Sequence, residues 1–135
     1  MTPTLVALTG FVSWSLLLLV LMEALRSWLV VSGSVPANGF DPDNSGLSPF
    51  MQRLARAHAN CVEGLPLFGG LMLIAVVADR SAVTDPFAYV FLGARILQSV
   101  IHLSSLSAVA VTLRFSAFAV QMAIAVCWAI RLMLA

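Results

Sequence analysis

The sequence predicts an all-α membrane protein, a single domain of four transmembrane helices. Three observations carry that reading. Apolar residues make up 61% of the 135 positions and charged residues only 10%, where soluble domains carry roughly 45–50% and 25%. The mean hydropathy is +1.01, and a soluble chain of this size could not hide so much apolar surface. The apolar runs are continuous; a transmembrane barrel would alternate apolar and polar residues. The net charge of +1 gives no electrostatic case for nucleic acid. Lysine is absent, so all seven cations are arginines, which hold carboxylates in a bidentate fork and stay ionised.

The first span runs from about Leu5 to Val31. Its uncharged core, Leu5 to Met22, approaches the roughly 20 residues a spanning helix needs. No basic segment precedes it and it continues past Glu23 and Arg26, so it does not read as a cleavable signal. Glu23 and Arg26 are spaced to meet on one helix face. Trp14 and Trp28 are candidate interfacial anchors. The connection Ser32 to Ser48 is dense in Gly, Pro, Asn and Ser and carries Asp41 and Asp43. These aspartates read as solvated turn residues, and the connection, the longest polar one, as a lid or rim.

The second span runs from Pro49 to about Ala78, with Ser48 as N-cap and Pro49 in the first turn. At about 100° per residue, Arg53, Arg56, Asn60 and Glu63 fall near 0°, 300°, 340° and 280°. They share one stripe, and His58, near 140°, reads as a packing residue on another face. Polar groups at such depth should face a bundle interior or a wet cavity. Two guanidiniums, an amide and a carboxylate suit a small zwitterion bearing carboxylates and an ammonium. Pro66 predicts a kink, and Gly69 and Gly70 predict close helix approach.

The third span is expected from Pro86 to Ser105, with Asp85 as its cap. Arg95, Gln98 and His102 recur at i, i+3 and i+7 on one face. A mid-membrane arginine asks for a partner, and Glu63 or Glu23 is the natural choice. Ser104 to Thr112 reads as a turn, and the fourth span as Leu113 to Leu134 between Arg114 and Arg131. Cys61 and Cys127 lack metal or disulfide spacing and read as small apolar residues. Arg26, Arg53, Arg56 and Arg114 flank the 1–2 and 3–4 connections, which puts these connections in the cytoplasm.

The pattern Arg53-x-x-Arg56-Ala57-His58-x-Asn60-x-x-Glu63-x-x-Pro66, at the head of the second of four spans, resembles the MAPEG family, the membrane-associated proteins in eicosanoid and glutathione metabolism. The whole chain looks most like its bacterial branch. The resemblance implies a homotrimer in a bacterial inner membrane, with glutathione held as co-substrate near the cytoplasmic face. It implies that Arg56, Asn60 and Glu63, with Arg53, contact glutathione, the carboxylate taking the amino group. Arg26 resembles the family's arginine on the first helix. On the third helix the family's arginine register falls on Arg95, Gln98 and His102, without the tyrosine that often follows.

Arg114 matches the arginine near the start of the fourth helix that stabilises the glutathione thiolate, although Phe115 and Ser116 follow it. A guanidinium near a thiol of pKa about 8.5 favours the thiolate, and a shift of one unit is about 1.4 kcal/mol. The implied activity is a transferase or peroxidase acting on hydrophobic electrophiles from the lipid. The absent tyrosine and displaced serine favour a second reading, a non-catalytic lipid-binding or regulatory protein. A third, a small transporter subunit, is weaker because the polar groups cluster at one end.

Overall fold

The structure, a computed structural model, describes residues 1–134. Its helices are α1 (Pro3–Val31), α2 (Pro49–Val77), α3 (Ser81–Ser104) and α4 (Ala108–Leu134). All four are long and apolar enough to cross a membrane. They pack into an up-and-down bundle: α3 lies against α1, α2 and α4, while the first half of α2 packs on α1 and α3 and stands off α4.

Local chemistry explains most ends. Thr2 caps α1 by accepting from Leu5 N at 3.2 Å, and Ser48 caps α2 by accepting from Met51 N at 3.3 Å. Pro3 and Pro49 follow in the first turns, where a missing N–H costs nothing. Pro66 produces a π turn over Leu65–Gly69, flanked by regular helix, because its nitrogen cannot donate within the ladder. A Cβ on Gly69 would meet Leu65 Cδ1 of its own helix at 3.1 Å and Leu8 Cδ1 on α1 only at an ordinary 3.4 Å. Gly70 has open space around it.

Two helix starts differ from expectation. The third helix begins at Ser81, five positions before Pro86, and Pro86 rides in its first turns. Asp85 caps a different helix: its Oδ1 accepts from Thr4 N at 3.0 Å and Thr4 Oγ1 at 2.5 Å, at the start of α1. The fourth helix begins at Ala108, leaving only Ser105 to Ser107 as the turn. Small residues over 108–112 are compatible with helix, and Ser107 Oγ receives Ala110 N at 3.2 Å.

The core is aromatic at mid-bundle. Phe91 stacks on Phe11 at 5.8 Å and meets Phe68 at 5.1 Å and Trp128 at 5.6 Å. Trp14 packs against this core and is not an interfacial anchor, whereas Trp28 is exposed near the end of α1. Cys61 is buried, its Sγ 3.4 Å from Ser99 Oγ, and Cys127 faces outward.

Candidate functional site

The connection between α1 and α2 contributes no residue to the two clefts that adjoin Asn60. Arg26 holds it down: Nε and Nη2 donate to Asn44 Oδ1 at 2.9 and 2.6 Å, and Nη2 reaches Asp41 O at 3.2 Å. Glu23 completes the clasp at 3.2 Å from Arg26 Nη1, the only ion pair among the described residues. Asn44 is fully buried at φ 57°, and its Nδ2 donates to Met51 O at 2.7 Å. Asn tolerates that left-handed backbone better than most residues. Asp41 and Asp43 are exposed turn residues, and the bond from Ser45 N holds the Asp43 carboxyl below its usual pKa. Arg26 is thus occupied with its own loop.

The other candidate residues gather at the end of the bundle where α2 begins and α3 ends. Arg53 Nε donates to Leu103 O at 2.8 Å, which joins those two ends. Deeper, Arg95 is 0% exposed. Its expected carboxylate partner is absent. Glu23 pairs with Arg26, and Glu63 is exposed on α2 without an ion-pair partner. Arg95 Nη1 instead donates to Asn60 Oδ1 at 2.6 Å, and its guanidinium lies 5.2 Å from the Phe11 ring centre and 5.6 Å from that of Phe68. Two aromatic faces offset part of the desolvation of a cation that lacks a counter-ion. Arg95 Nε and Nη2 have no acceptor. Nη2 sits where a Cβ on residue 64 would be 3.0 Å away, so glycine there is what lets the guanidinium in.

Asn60 is the junction. Its Oδ1 also accepts from Gln98 Nε2 at 3.1 Å, and Gln98 Oε1 accepts from Gln121 Nε2 at 2.8 Å. Gln121, on α4, is fully buried. The sequence reading passed over it, although an amide in the middle of an apolar span is itself a signal of an inward-facing polar group. Two adjoining clefts open beside Asn60, where α2 and α4 stand apart. One, of about 200 Å³, is lined by Asn60, Gln98, Arg114, Phe115 and Phe118. The other, of about 180 Å³, is lined by Asn60, Glu63, Gly64, Phe68 and Phe118. Asn60 and Phe118 are common to both.

Charge is uneven around this space. Arg114 Nη1 is buried without a partner, and so is Nε2 of His102. Glu63 is the one carboxylate lining either cleft. Cationic donors at one end and a carboxylate at the other can receive an elongated zwitterion with net negative charge. His58 lies half-buried outside this group.

The molecule is therefore a four-helix bundle of the multi-pass membrane type with two adjoining clefts that meet at Asn60. The MAPEG family model matches residues 4–134, and the chain belongs to the MAPEG family. That membership places it among the membrane proteins of glutathione and eicosanoid metabolism, whose members are generally glutathione-associated. No curated protein and no solved structure matches the chain.

Proposed function

We propose that the chain is a glutathione transferase or peroxidase of the membrane, working on hydrophobic electrophiles that partition from the lipid. The observation that carries the reading is the meeting of two clefts at Asn60, with Arg114 in one and Glu63 in the other. Glutathione carries two carboxylates and one ammonium. Glu63 takes the ammonium, Asn60 and Arg56 the peptide and carboxylate oxygens, and Arg114 the sulfur. Arg53 and Arg95 hold the surrounding helices, with Gln98 and His102 on the same buried face of α3 as Arg95.

The chemistry follows from the unpaired Arg114 Nη1. A guanidinium short of acceptors, in a partly dry site, stabilises a thiolate more than the same group would in water. The thiol proton leaves to solvent. The sulfur lone pair then forms a C–S bond to the electrophile, and the leaving group departs with its electron pair. With a hydroperoxide, the thiolate attacks oxygen and the O–O bond breaks. The alkoxide takes a proton to become the alcohol, and a second glutathione converts the sulfenic acid to disulfide and water.

Glu63 also supports assembly. It lies roughly 21 Å along α2 from Pro49 and is exposed on the single chain, as is Arg56. A carboxylate at that depth facing lipid costs about 2.5–3.5 kcal/mol, which favours a homotrimer that covers this face. The arginine distribution favours the cytoplasmic side of a bacterial inner membrane for the site.

A non-catalytic lipid-binding role is the second reading. It draws on an apolar groove of about 540 Å³ between α1 and the π turn of α2, lined by Leu8, Val12, Leu65, Pro66 and Leu73. Binding of labelled glutathione to the detergent-solubilised protein, followed by turnover with a panel of aryl electrophiles and lipid hydroperoxides, separates the two. Saturable binding that Glu63→Gln weakens at least tenfold, together with turnover, is the expected result. Absent binding at millimolar glutathione overturns the transferase reading.

A further inference from the structure

We propose that Gln98 and Gln121 are positioning residues that lock the side-chain amide of Asn60 in one orientation, so that its Nδ2 donor, and not its oxygen, meets the ligand. The inference rests on the glutathione site proposed above and deepens it.

Hydrogen-bond polarity fixes which way each amide points. A guanidinium donates and cannot accept. The atom of Asn60 that faces Arg95 Nη1 at 2.6 Å must therefore be oxygen. The atom of Gln98 that faces the same oxygen at 3.1 Å must then be its NH2 group. That leaves Gln98 Oε1 on the other side, and the atom of Gln121 that meets it at 2.8 Å must be nitrogen. The Gln121 NH2 group gives its second hydrogen to Ala117 O at 3.1 Å. The absence of an acceptor on one buried arginine thus sets the direction of three amides across α2, α3 and α4. Both bonds at Asn60 end on Oδ1, and Nδ2 makes none among the described residues. Asn60 lines both clefts, so Nδ2 is the atom it offers there. The ligand group beside it is an acceptor, a carboxylate or peptide oxygen, and the ammonium is left for Glu63.

Stability alone does not account for Gln121. Its Oε1 is buried without a partner, which lowers stability relative to an apolar side chain of the same shape. What the residue adds is the second hold on Gln98. Without it Gln98 loses its tether to α4 and its hold on Asn60 Oδ1 loosens, so that the bond from Arg95 Nη1 alone keeps the Asn60 amide in its donor orientation.

The test uses the near-isosteric variant Gln121→Met in the full-length protein in detergent, with Gln98→Met as a second break in the same relay. Expected for both is a glutathione affinity about tenfold weaker, the loss that goes with one well-made hydrogen bond. In an Asn60→Ala background neither change should weaken binding further. Unchanged affinity in Gln121→Met, or an equal further loss in the Asn60→Ala background, overturns the relay. A ligand-free readout separates this from failure of the glutathione reading. The Asn60 side-chain amide proton signals should shift and exchange faster in Gln121→Met; if they stay in place, the relay is wrong even when glutathione binds. If no form binds glutathione while those signals move, the relay stands and the choice of ligand falls.

Discussion

Asn60→Ala should destabilise the protein far more than the loss of one exposed amide would. Arg95 is fully buried, and Asn60 Oδ1 is the only side-chain oxygen it reaches. Losing a hydrogen bond to a charged group costs about 1.5–3 kcal/mol. Gln98 Nε2 loses its acceptor in the same step, for about 1 kcal/mol more. The aromatic faces of Phe11 and Phe68 remain over the guanidinium, so the cost stays below the roughly 3–5 kcal/mol of a wholly stripped buried charge. A loss of about 3 kcal/mol is expected. In an Arg95→Met background the charge is gone, and Asn60→Ala should then cost only about 1 kcal/mol. The assay is reversible unfolding in mixed micelles by added SDS, followed by far-UV circular dichroism and by the fluorescence of Trp128, which packs on Phe91. Equal costs of Asn60→Ala in the two backgrounds would refute the claim that Asn60 serves a buried cation.

Four further substitutions probe other parts of the structure. Gly64→Ala places a Cβ 3.0 Å from Arg95 Nη2 and 3.1 Å from Phe68 Cδ2; overpacking should cost about 1–3 kcal/mol in the same SDS assay and displace Arg95. Arg26→Ala and Asn44→Ala should both loosen residues 32–48, seen as faster proteolysis of that connection and a loss of about 2–4 kcal/mol, with glutathione affinity held within twofold; a selective loss of affinity in Arg26→Ala would instead put that arginine in the site. Asp85→Ala removes both acceptor bonds at the start of α1 and should cost about 1–2 kcal/mol, with faster amide exchange at Thr4 as the local readout.

Much of the fold was legible in the sequence because each span is a long apolar run and membrane helices leave little else possible. Ends were harder. Pro86 looked like a helix start, yet proline is tolerated early in a helix and α3 reaches back to Ser81. Asp85 read as a cap for its own helix and serves α1 instead, a tertiary contact across 81 positions of chain that no local pattern shows. The stripe on α2 was visible from periodicity, and Asn60 and Glu63 do border one space. The partner of Arg95 was misjudged because charge pairing was assumed; an amide and two aromatic rings surround it. Arg26 entered the candidate site by resemblance alone, and its bond to Asn44, a loop residue with no local signal, could not be read from the sequence. Gln121 went unnoticed because a single amide hardly alters an apolar run, although its depth marked it for an inward face.

The central claim is that Arg114 and Glu63 frame a site that binds glutathione and ionises its sulfur. A thiolate-absorbance titration of the purified protein with glutathione, comparing the unaltered chain with Arg114→Ala and Glu63→Gln, tests it most directly. The account predicts saturable thiolate formation in the unaltered protein. It predicts weaker binding in Glu63→Gln, and in Arg114→Ala a bound thiol whose pKa rises by about one unit or more, equivalent to about 1.4 kcal/mol. Binding with an unchanged thiol pKa in Arg114→Ala would contradict the role given to that arginine, and no thiolate at saturating glutathione would contradict the function itself.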